Sequence, residues 1–558
     1  MKELKHLEQM VNEGNLSEAI DAMAAISPKD LDRWEVQNLM GKVCTLCEDY
    51  ENAKELYRRS LKQHPDQPEI LQNLFALRER TKGKSPTDLA ANSTAKRVLM
   101  IAYYFPPLSG SGVFRSLKFA KYLPMFDWYP TVISAEAPPV YWNLSDKSQM
   151  AEIPEDVKVI RISDLVSTRQ LSSIDESQAR DLLEFLRGAL CKKQEAMRLF
   201  EKILQTQSGK EYLLVFPCWA LFWTYHVTKY IEECVSLADF HAVYTTSGPY
   251  SAHLAGFHLK EKYGIPWVAD YRDMWTMNPT TPLLDMDNPF HQLSRALESV
   301  LLHHADCNIV AVGETIPIYT KNFQLPQEKF VGITNGYDEA DFSGIIDEEK
   351  RTDKFTINYS GLLYSKQRTI APILQAIKEL SDANEVDLSR IIFRFVGVSE
   401  EDIFALVQKY DMEAIFRYVP YAPHKDAIAS NMDSNLLLLL VGDDPASKMV
   451  FTGKIFEYLR SGRPILALAP KDGVVDMLLR ETGHGKAFLG TQIPEIKQMI
   501  LEEYTKWKNG ESIVYSGQGI QKYERKALTA KLAEVLDKVV ETRANESTRI
   551  GKFQVRSV

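Results

Sequence analysis

The sequence predicts an α/β protein with two doubly wound parallel-sheet domains behind a small all-helical segment. Three observations carry this. From residue 97 to about 515, apolar runs of strand length alternate with helical patterns, as βαβ units require. A charged, strand-free stretch at 343–354 (SGIIDEEKRTDK) divides that region in two. Positions 1–82 have helical apolar spacing and repeat themselves at an interval of 34 residues. The length agrees: 558 residues call for three to four domains at roughly 150 each, and the α/β part alone exceeds one sheet's usual size.

Composition excludes several classes. Apolar residues make up 45% and charged residues 25%, ordinary for a globular chain and unlike disorder or coiled coil. The net charge is −9, which argues against a nucleic-acid partner, since such proteins carry a basic domain. Six cysteines are too few for a disulfide scaffold, so a reducing, cytoplasmic setting is expected. Cys44 and Cys47 form a lone C-x-x-C without a second pair, read as helix packing. MKELKHLEQM lacks the apolar core of a signal peptide. The longest apolar stretch, 212–223, is too short to span a bilayer and contains Pro217.

In chain order, residues 1–82 come first. Leu16 aligns with Tyr50 and Ala19 with Ala53, and the second copy continues as AKELYRRSLKQHPDQPEILQNL. A small residue at this point lets paired helices approach, and Pro65 ends the second helix. This pattern resembles the tetratricopeptide repeat, whose period is the same. Two copies are few for an independent array, so the segment is expected to dock on its neighbour or on a protein partner. Residues 83–95 have linker composition. The first α/β domain is placed at 96–345, with strands at 97–104, 130–134, 157–162, 242–246, 266–270, 307–312 and 330–333 and a helical insertion at about 141–211. The second is placed at 346–515, with strands at 355–360, 391–396, 435–441 and 464–468. A helix over 516–543 and a flexible tail over 544–558 close the chain.

Four motifs follow apolar strands, where ligands bind in such folds. PPLSGSGVFR (106–115) brings Gly110, Ser111 and Gly112 to a helix start, where converging N–H groups and the helix dipole suit an anion. ADYRDMW (269–275) puts Asp270, Arg272 and Asp273 at a strand end, either as functional charges or as an ion pair that pins a loop. NYSGLL (358–363) is a glycine turn at Gly361 followed by the cations Lys366 and Arg368, a combination suited to a diphosphate. GKIFEYLRSGRPI (453–465) is a helix carrying Lys454 and Glu457 that closes at Gly462; Glu457 can take two vicinal hydroxyls. His253 in SGPYSAHL is either a sugar contact or a helix-surface histidine. Asp285-Met286-Asp287 has a metal-binding spelling but follows no strand, so no metal is expected. His303-His304 reads as helix packing.

Five stretches in order, AYYFPPLSGSGVFRSLKFAKYL, TTSGPYSAHLAGFHLKEKYGIPWVADYRDMWT, ITNGYDEADF, INYSGLLYSKQR and TGKIFEYLRSGRPILALAP, resemble glycosyltransferases of the GT-B fold, in particular the family 4-like subgroup. The resemblance covers about 96–543. It implies two Rossmann-like domains facing a cleft, the first for the acceptor and the second for a nucleotide-diphosphate sugar, and no cofactor. It implies that Glu457 holds the ribose, and that Lys366, Arg368 and Lys454 offset the leaving diphosphate with help from the amides around 110–112 and from Arg115. Asn335-Gly336-Tyr337-Asp338 looks like the turn into the interdomain linker. Asp270, Arg272, Asp273 and His253 are the candidate catalytic groups. The family often has a second Glu eight positions before Glu457; here that position is Met449. Retention of anomeric configuration, and a glycan or lipid-linked acceptor in surface polysaccharide assembly, are further implications. Peripheral contact with the inner membrane face is a further expectation. Arg115, Lys118 and Lys121 alternate with Phe114, Phe119, Tyr122, Phe126 and Trp128, and 212–223 is aromatic; both stretches read as a lipid-facing surface or, alternatively, as core plus rim. Two rivals remain at this point: a nucleotide-sugar epimerase on the same fold, and a non-catalytic scaffold, which Met449 favours.

Overall fold

The computed structural model describes residues 33–63, 95–136, 147–162, 176–278, 287–345, 353–361, 368–399, 402–511 and 519–555, apart from positions 48, 109, 215, 219, 421 and 443, together with scattered positions elsewhere. Two parallel sheets organise it. The first has seven strands, β1 (Lys96–Ile101), β2 (Trp128–Ala135), β3 (Lys158–Ile162), β4 (Ala242–Thr246), β5 (Trp267–Tyr271), β6 (Cys307–Val310) and β7 (Phe330–Gly332), in the order β3-β2-β1-β4-β5-β6-β7. The second has six, β8 (Phe355–Ser360), β9 (Ile391–Val396), β10 (Phe416–Val419), β11 (Leu436–Leu440), β12 (Ile465–Leu468) and β13 (Gly485–Phe488), in the order β10-β9-β8-β11-β12-β13. Both orders run 3-2-1-4-5-6 from their own first strand, the doubly wound arrangement that opens a crevice where the winding reverses.

The apolar runs form strands because both faces of each sheet are covered. In β1, Leu99 and Ile101 enter one core while Val98 and Met100 enter the other. In β11, Leu436, Leu438 and Leu440 face one side and Leu437 and Leu439 the opposite side. A strand apolar at every position is what two-sided burial selects. Ten strands fall where the apolar runs predict them within two residues at either end, and β1 starts at Lys96 and ends at Ile101, short of the run's end at 104. The remaining two, β10 and β13, are short edge strands with charged residues (FRYV, GKAF), so no apolar run marked them.

Seven helices matter here: α1 (Trp34–Leu46), α2 (Tyr50–Gln63), α3 (Ser111–Tyr122), α4 (Ala252–Tyr263), α5 (His424–Met432), α6 (Lys454–Ser461) and α7 (Arg525–Val555). Three more, Glu176–Leu190, Gln194–Leu204 and Gln207–Leu213, lie between β3 and β4, in the expected insertion, and bury Leu182, Leu186 and Phe200 in the first domain's core. Helices α1 and α2 pair closely: a Cβ on Gly41 would lie 2.6 Å from the Tyr57 ring. Ala53 and Tyr57 of α2 pack against Tyr122, Met125 and Ala527, so this face of the helical segment docks on its neighbour. The first repeat copy and the linker lie largely outside the described residues.

Helix α7 runs longer than expected. It continues to Val555, past the flexible tail expected from 544, because ETRANESTR is rich in good helix formers and contains no proline. It also lies against the first sheet at β4 and β5 and against α3, and its Leu528, Leu532, Leu536 and Val539 belong to the same core cluster as Val98, Met100 and Ile309.

Of the two readings given for the basic-aromatic stretch, lipid-facing or core plus rim, burial favours the second. Arg115, Lys118, Phe119, Tyr122 and Trp128 are at most 1% exposed. In 212–223, Leu213, Phe216, Phe222 and Trp223 are buried as well. Arg115, Lys118 and Lys121 meet carboxylates inside the protein, which fits the core-plus-rim alternative for these described residues. No helix among the described residues is long and apolar enough to cross one.

Candidate active site

A cleft of about 730 Å³ lies between the sheets, lined by the turns after β1, β5 and β8, by α5 and α6, and by the segment 335–341 that joins the two sheets. This is the position expected for a ligand in doubly wound folds.

The first wall begins at Gly110, which caps α3 with φ 121° and no side-chain cap. Gly112 is required by a close approach: a Cβ there would lie 1.9 Å from Arg272 Nη1. Gly248, with φ +67°, stands on the other side, where a Cβ would lie 2.6 Å from Arg272 Nη2. Two glycines therefore form a slot for the Arg272 guanidinium, which also lies 6.0 Å from the Tyr104 ring centre. Arg272 lines the cleft with Asp273, whose Oδ2 accepts from Nε at 3.3 Å and whose side chain is 61% exposed. Gly112→Ala is expected to push the Arg272 guanidinium out of its slot and lower activity while the fold persists, since alanine is the better helix former by about 1 kcal/mol. Activity and melting temperature measured side by side check this; unchanged activity would speak against the slot.

Arg115 and Asp270 correct the sequence reading. Both are fully buried, and neither lines the cleft. Arg115 donates from Nε and Nη2 to the two carboxylate oxygens of Asp270, each at 2.7 Å, and from Nη1 and Nη2 to the carbonyls of Thr334 and Ile333, both at 2.9 Å. Asp270 Oδ2 also accepts from Tyr244 at 2.5 Å and Thr246 at 3.0 Å. Burial works to raise the Asp270 pKa, but Arg115 outweighs it and holds it below the ordinary value. A saturated, dry ion pair can neither abstract a proton nor hold a phosphate. It ties α3 to β5 and to the segment after β7. The motif thus holds two ion pairs, an exposed one of Arg272 with Asp273 and a buried one of Arg115 with Asp270.

His253 is likewise not a cleft residue. It is fully buried on α4, with Nδ1 2.8 Å from Thr245 Oγ1 and its ring 4.4 Å from Tyr271. Burial lowers its pKa to about 3, so it stays neutral. The packing on both sides excludes the expected sugar contact and the surface position alike.

The second wall is built on β8. Asn358 and Ser360 both donate to Asn431 Oδ1 at 2.9 Å, which fixes α5, and the Tyr458 hydroxyl accepts from the Ser360 amide at 3.0 Å, which fixes α6. Gly361, φ +139°, follows because Lys454 Nζ passes where its Cβ would be, at 2.0 Å. Lys454 donates to Tyr359 Oη at 3.1 Å and lies 4.4 Å above that ring. Burial first, then neighbouring Arg368, lower its pKa to about 7. Arg368 donates from Nε to the Val441 carbonyl at 3.0 Å and lines the cleft. Two cations on one wall, one of them half-discharged at neutral pH for want of an anion, form a site for a multiply charged oxyanion. Met449 lines the same wall.

Glu457 lines the cleft and accepts from His424 Nε2 at 2.9 Å. The His424 ring lies 4.3 Å from Phe114 of the opposite wall. Burial would lower the His424 pKa, but Glu457 and Asp341 outweigh it and raise it. Glu457 is itself lowered, burial being outweighed by His424 and then Arg525. Between the walls, the carboxylates of Glu152, Asp338 and Asp341 converge. The Lys118 ammonium sits among them at 2.6, 2.8 and 2.6 Å, so a cation of the chain itself occupies this cluster.

Of the predicted site residues, the cleft thus brings together Gly110, Arg272, Asp273, Gly361, Arg368, Lys454 and Glu457. Gly112 acts through Arg272, whereas Arg115, Asp270 and His253 lie behind the walls. Lys366, Asp285 and the Ser111 side chain lie outside the described residues. Sequence reasoning missed His424 and Arg525. His424 follows the unmarked strand β10, and Arg525 opens a helix whose apolar pattern signals only packing.

No family model and no curated protein matches the chain. Solved structures do. Sucrose-phosphate synthase from Thermosynechococcus elongatus superimposes with a TM-score of 0.51 at 13% identity, covering 80% of this chain and 100% of that one. A glycosyltransferase from Rickettsia africae ESF-5 superimposes with a TM-score of 0.50 at 14% identity, covering 80% of this chain and 98% of that one. With its two parallel sheets and the cleft between them, the chain therefore has the GT-B fold of these proteins.

Proposed function

We propose that this chain is a glycosyltransferase that moves a sugar from a nucleotide-diphosphate sugar to a glycan, glycolipid or related acceptor. The observation that carries the reading is the pair Arg368 and Lys454 on one cleft wall, with Glu457 beside them. In glycosyl transfer the bond to the anomeric carbon breaks and negative charge grows on the departing diphosphate. Fixed cations in a water-poor cleft stabilise that charge with little reorganisation. Lys454 gains its proton fully when an oxyanion arrives, so its charge is greatest when the diphosphate is present. Glu457, ionised and oriented by His424, accepts hydrogen bonds from two vicinal ribose hydroxyls. Arg272 and Asp273 face the acceptor from the first wall.

Because Met449 supplies no carboxylate, the donor sugar is held without the acidic contact common in the family 4-like subgroup. Two cations of the chain suffice for charge neutralisation, so the transfer is metal-independent and survives chelation. A retaining outcome, a place in surface polysaccharide assembly and a cytoplasmic setting belong to the same reading. So do tetratricopeptide character for 1–82, the domain limits near 345 and 515, and a protein partner for whatever face α1 and α2 leave free.

A thermal-shift panel of UDP, GDP, ADP and CMP sugars tests it, because a ligand that binds only the native state raises the melting temperature. At least one is expected to stabilise the protein; no shift with any would overturn the reading. Release of free ManNAc from UDP-GlcNAc without an acceptor would identify an epimerase instead.

A further inference from the structure

We propose that Arg525, the first residue of α7, is an oxyanion-binding residue of the cleft, taking a phosphate or carboxylate oxygen of the bound substrate. This rests on the cleft being the substrate site and adds a third cation to Arg368 and Lys454.

Arg525 lines the cleft yet is only 4% exposed, and its Nη1 has no hydrogen-bond partner among the described residues. It forms no ion pair with any described carboxylate. The carboxylates whose field reaches it are engaged elsewhere: Asp338 by Lys118, Lys121 and Tyr122, Asp341 by Lys118, and Glu457 by His424. Arg115, the like charge nearby, is saturated by Asp270. Burial first, then Arg115, lower the Arg525 pKa to about 10, which still leaves it charged at neutral pH. A buried guanidinium with an unmet N–H is a costly arrangement for a free protein. It is resolved when a ligand brings an oxyanion into the cleft. The backbone holds the residue there: its amide donates to the Tyr337 carbonyl at 2.8 Å, and α7 is anchored on the first sheet through Leu528 and Leu532.

The oxyanion has two sources, the diphosphate of the donor or an anionic group of the acceptor. The test is calorimetric binding of inorganic pyrophosphate, of UDP, GDP and ADP, and of inorganic phosphate to protein saturated with the best nucleotide. Wild type is compared with Arg525→Met and Arg525→Lys, each with a thermal melt of the free protein. Arg525→Met is expected to melt no lower than wild type, since it removes an unpaired buried charge, and to lose at least tenfold in affinity for one probe. Loss for pyrophosphate and the nucleotide assigns Arg525 to the donor diphosphate. Loss only for phosphate on the nucleotide-saturated protein assigns it to an anionic acceptor. Unchanged affinity for every probe, or a melting temperature lowered by several degrees, would overturn the proposal and make Arg525 a packing residue. Pyrophosphate binding reports on Arg525 even if no nucleotide sugar binds, so this result stands apart from the assignment as a transferase.

Discussion

Arg115→Ala is expected to destabilise the protein by about 3–5 kcal/mol, the cost of leaving one member of a buried pair uncompensated. The substitution removes both short bonds to Asp270 and the bonds to Ile333 and Thr334. Tyr244 and Thr246 would still donate to Asp270, but no cation would remain against a fully buried carboxylate. The sign with pH follows. In wild type the Asp270 pKa is lowered on folding, so its contribution is present above the unfolded carboxylate pKa and is lost as pH falls. In Arg115→Ala, only the Tyr244 and Thr246 hydrogen bonds oppose burial, which is expected to raise the pKa, so the variant loses stability as pH rises instead. Replacing both partners, Arg115→Met with Asp270→Leu, is expected to be milder than either single change. Urea denaturation at pH 5 and pH 8 measures all of this. A single variant within about 1 kcal/mol of wild type would show that the pair does not hold α3 on β5.

The second large effect concerns Lys454. Its pKa of about 7 leaves it mostly charged at pH 6 and mostly neutral at pH 8.5. An oxyanion binds the charged form and raises that pKa, so binding takes up a proton and affinity falls as pH rises. Over pH 6 to 8.5 the affinity for a nucleotide-diphosphate sugar, whose diphosphate does not titrate in this range, is expected to drop about tenfold. Lys454→Arg keeps its charge throughout and is expected to bind with no pH dependence in this window. Lys454→Met is expected to bind weakly at every pH, by about tenfold or more below wild type at pH 6. Calorimetry in two buffers of different ionisation enthalpy counts the proton directly. A pH-flat affinity for wild type would mean that Lys454 does not touch the diphosphate.

The fold was legible because strand positions covered on both faces must be apolar; LLLLL in β11 and VLMI in β1 admit few other readings. Charged edge strands carry no such mark, which is why β10 was silent, and with it His424 beyond. The glycine positions of the site were legible for a similar reason. Gly112 and Gly361 are fixed by what passes across them, Arg272 and Lys454, and residues in such turns stand out in a sequence. What sequence could not divide was the charge set. Arg115, Arg272 and Arg525 look alike in a string of letters. Only packing shows that the first is locked to Asp270, the second sits in a slot at the cleft, and the third is left without a partner. The same limit left Lys118 open between a lipid-facing and a core position, since the three carboxylates around it come from distant segments.

The docking of α7 on the first sheet also bears on synthesis. On the ribosome, the seven strands of that sheet are complete once residue 332 has emerged, but the apolar stripe on which α7 lies, part of the core cluster of Val98 and Met100, stays open until Leu528 and Leu532 arrive. At translation speeds of about 5–20 residues per second, the nascent chain shows that stripe to its surroundings for roughly 10–40 s. The first domain is therefore finished by a helix made after the whole second sheet, and a chain cut short anywhere in the second domain would be released with a sticky face that the folded protein never presents.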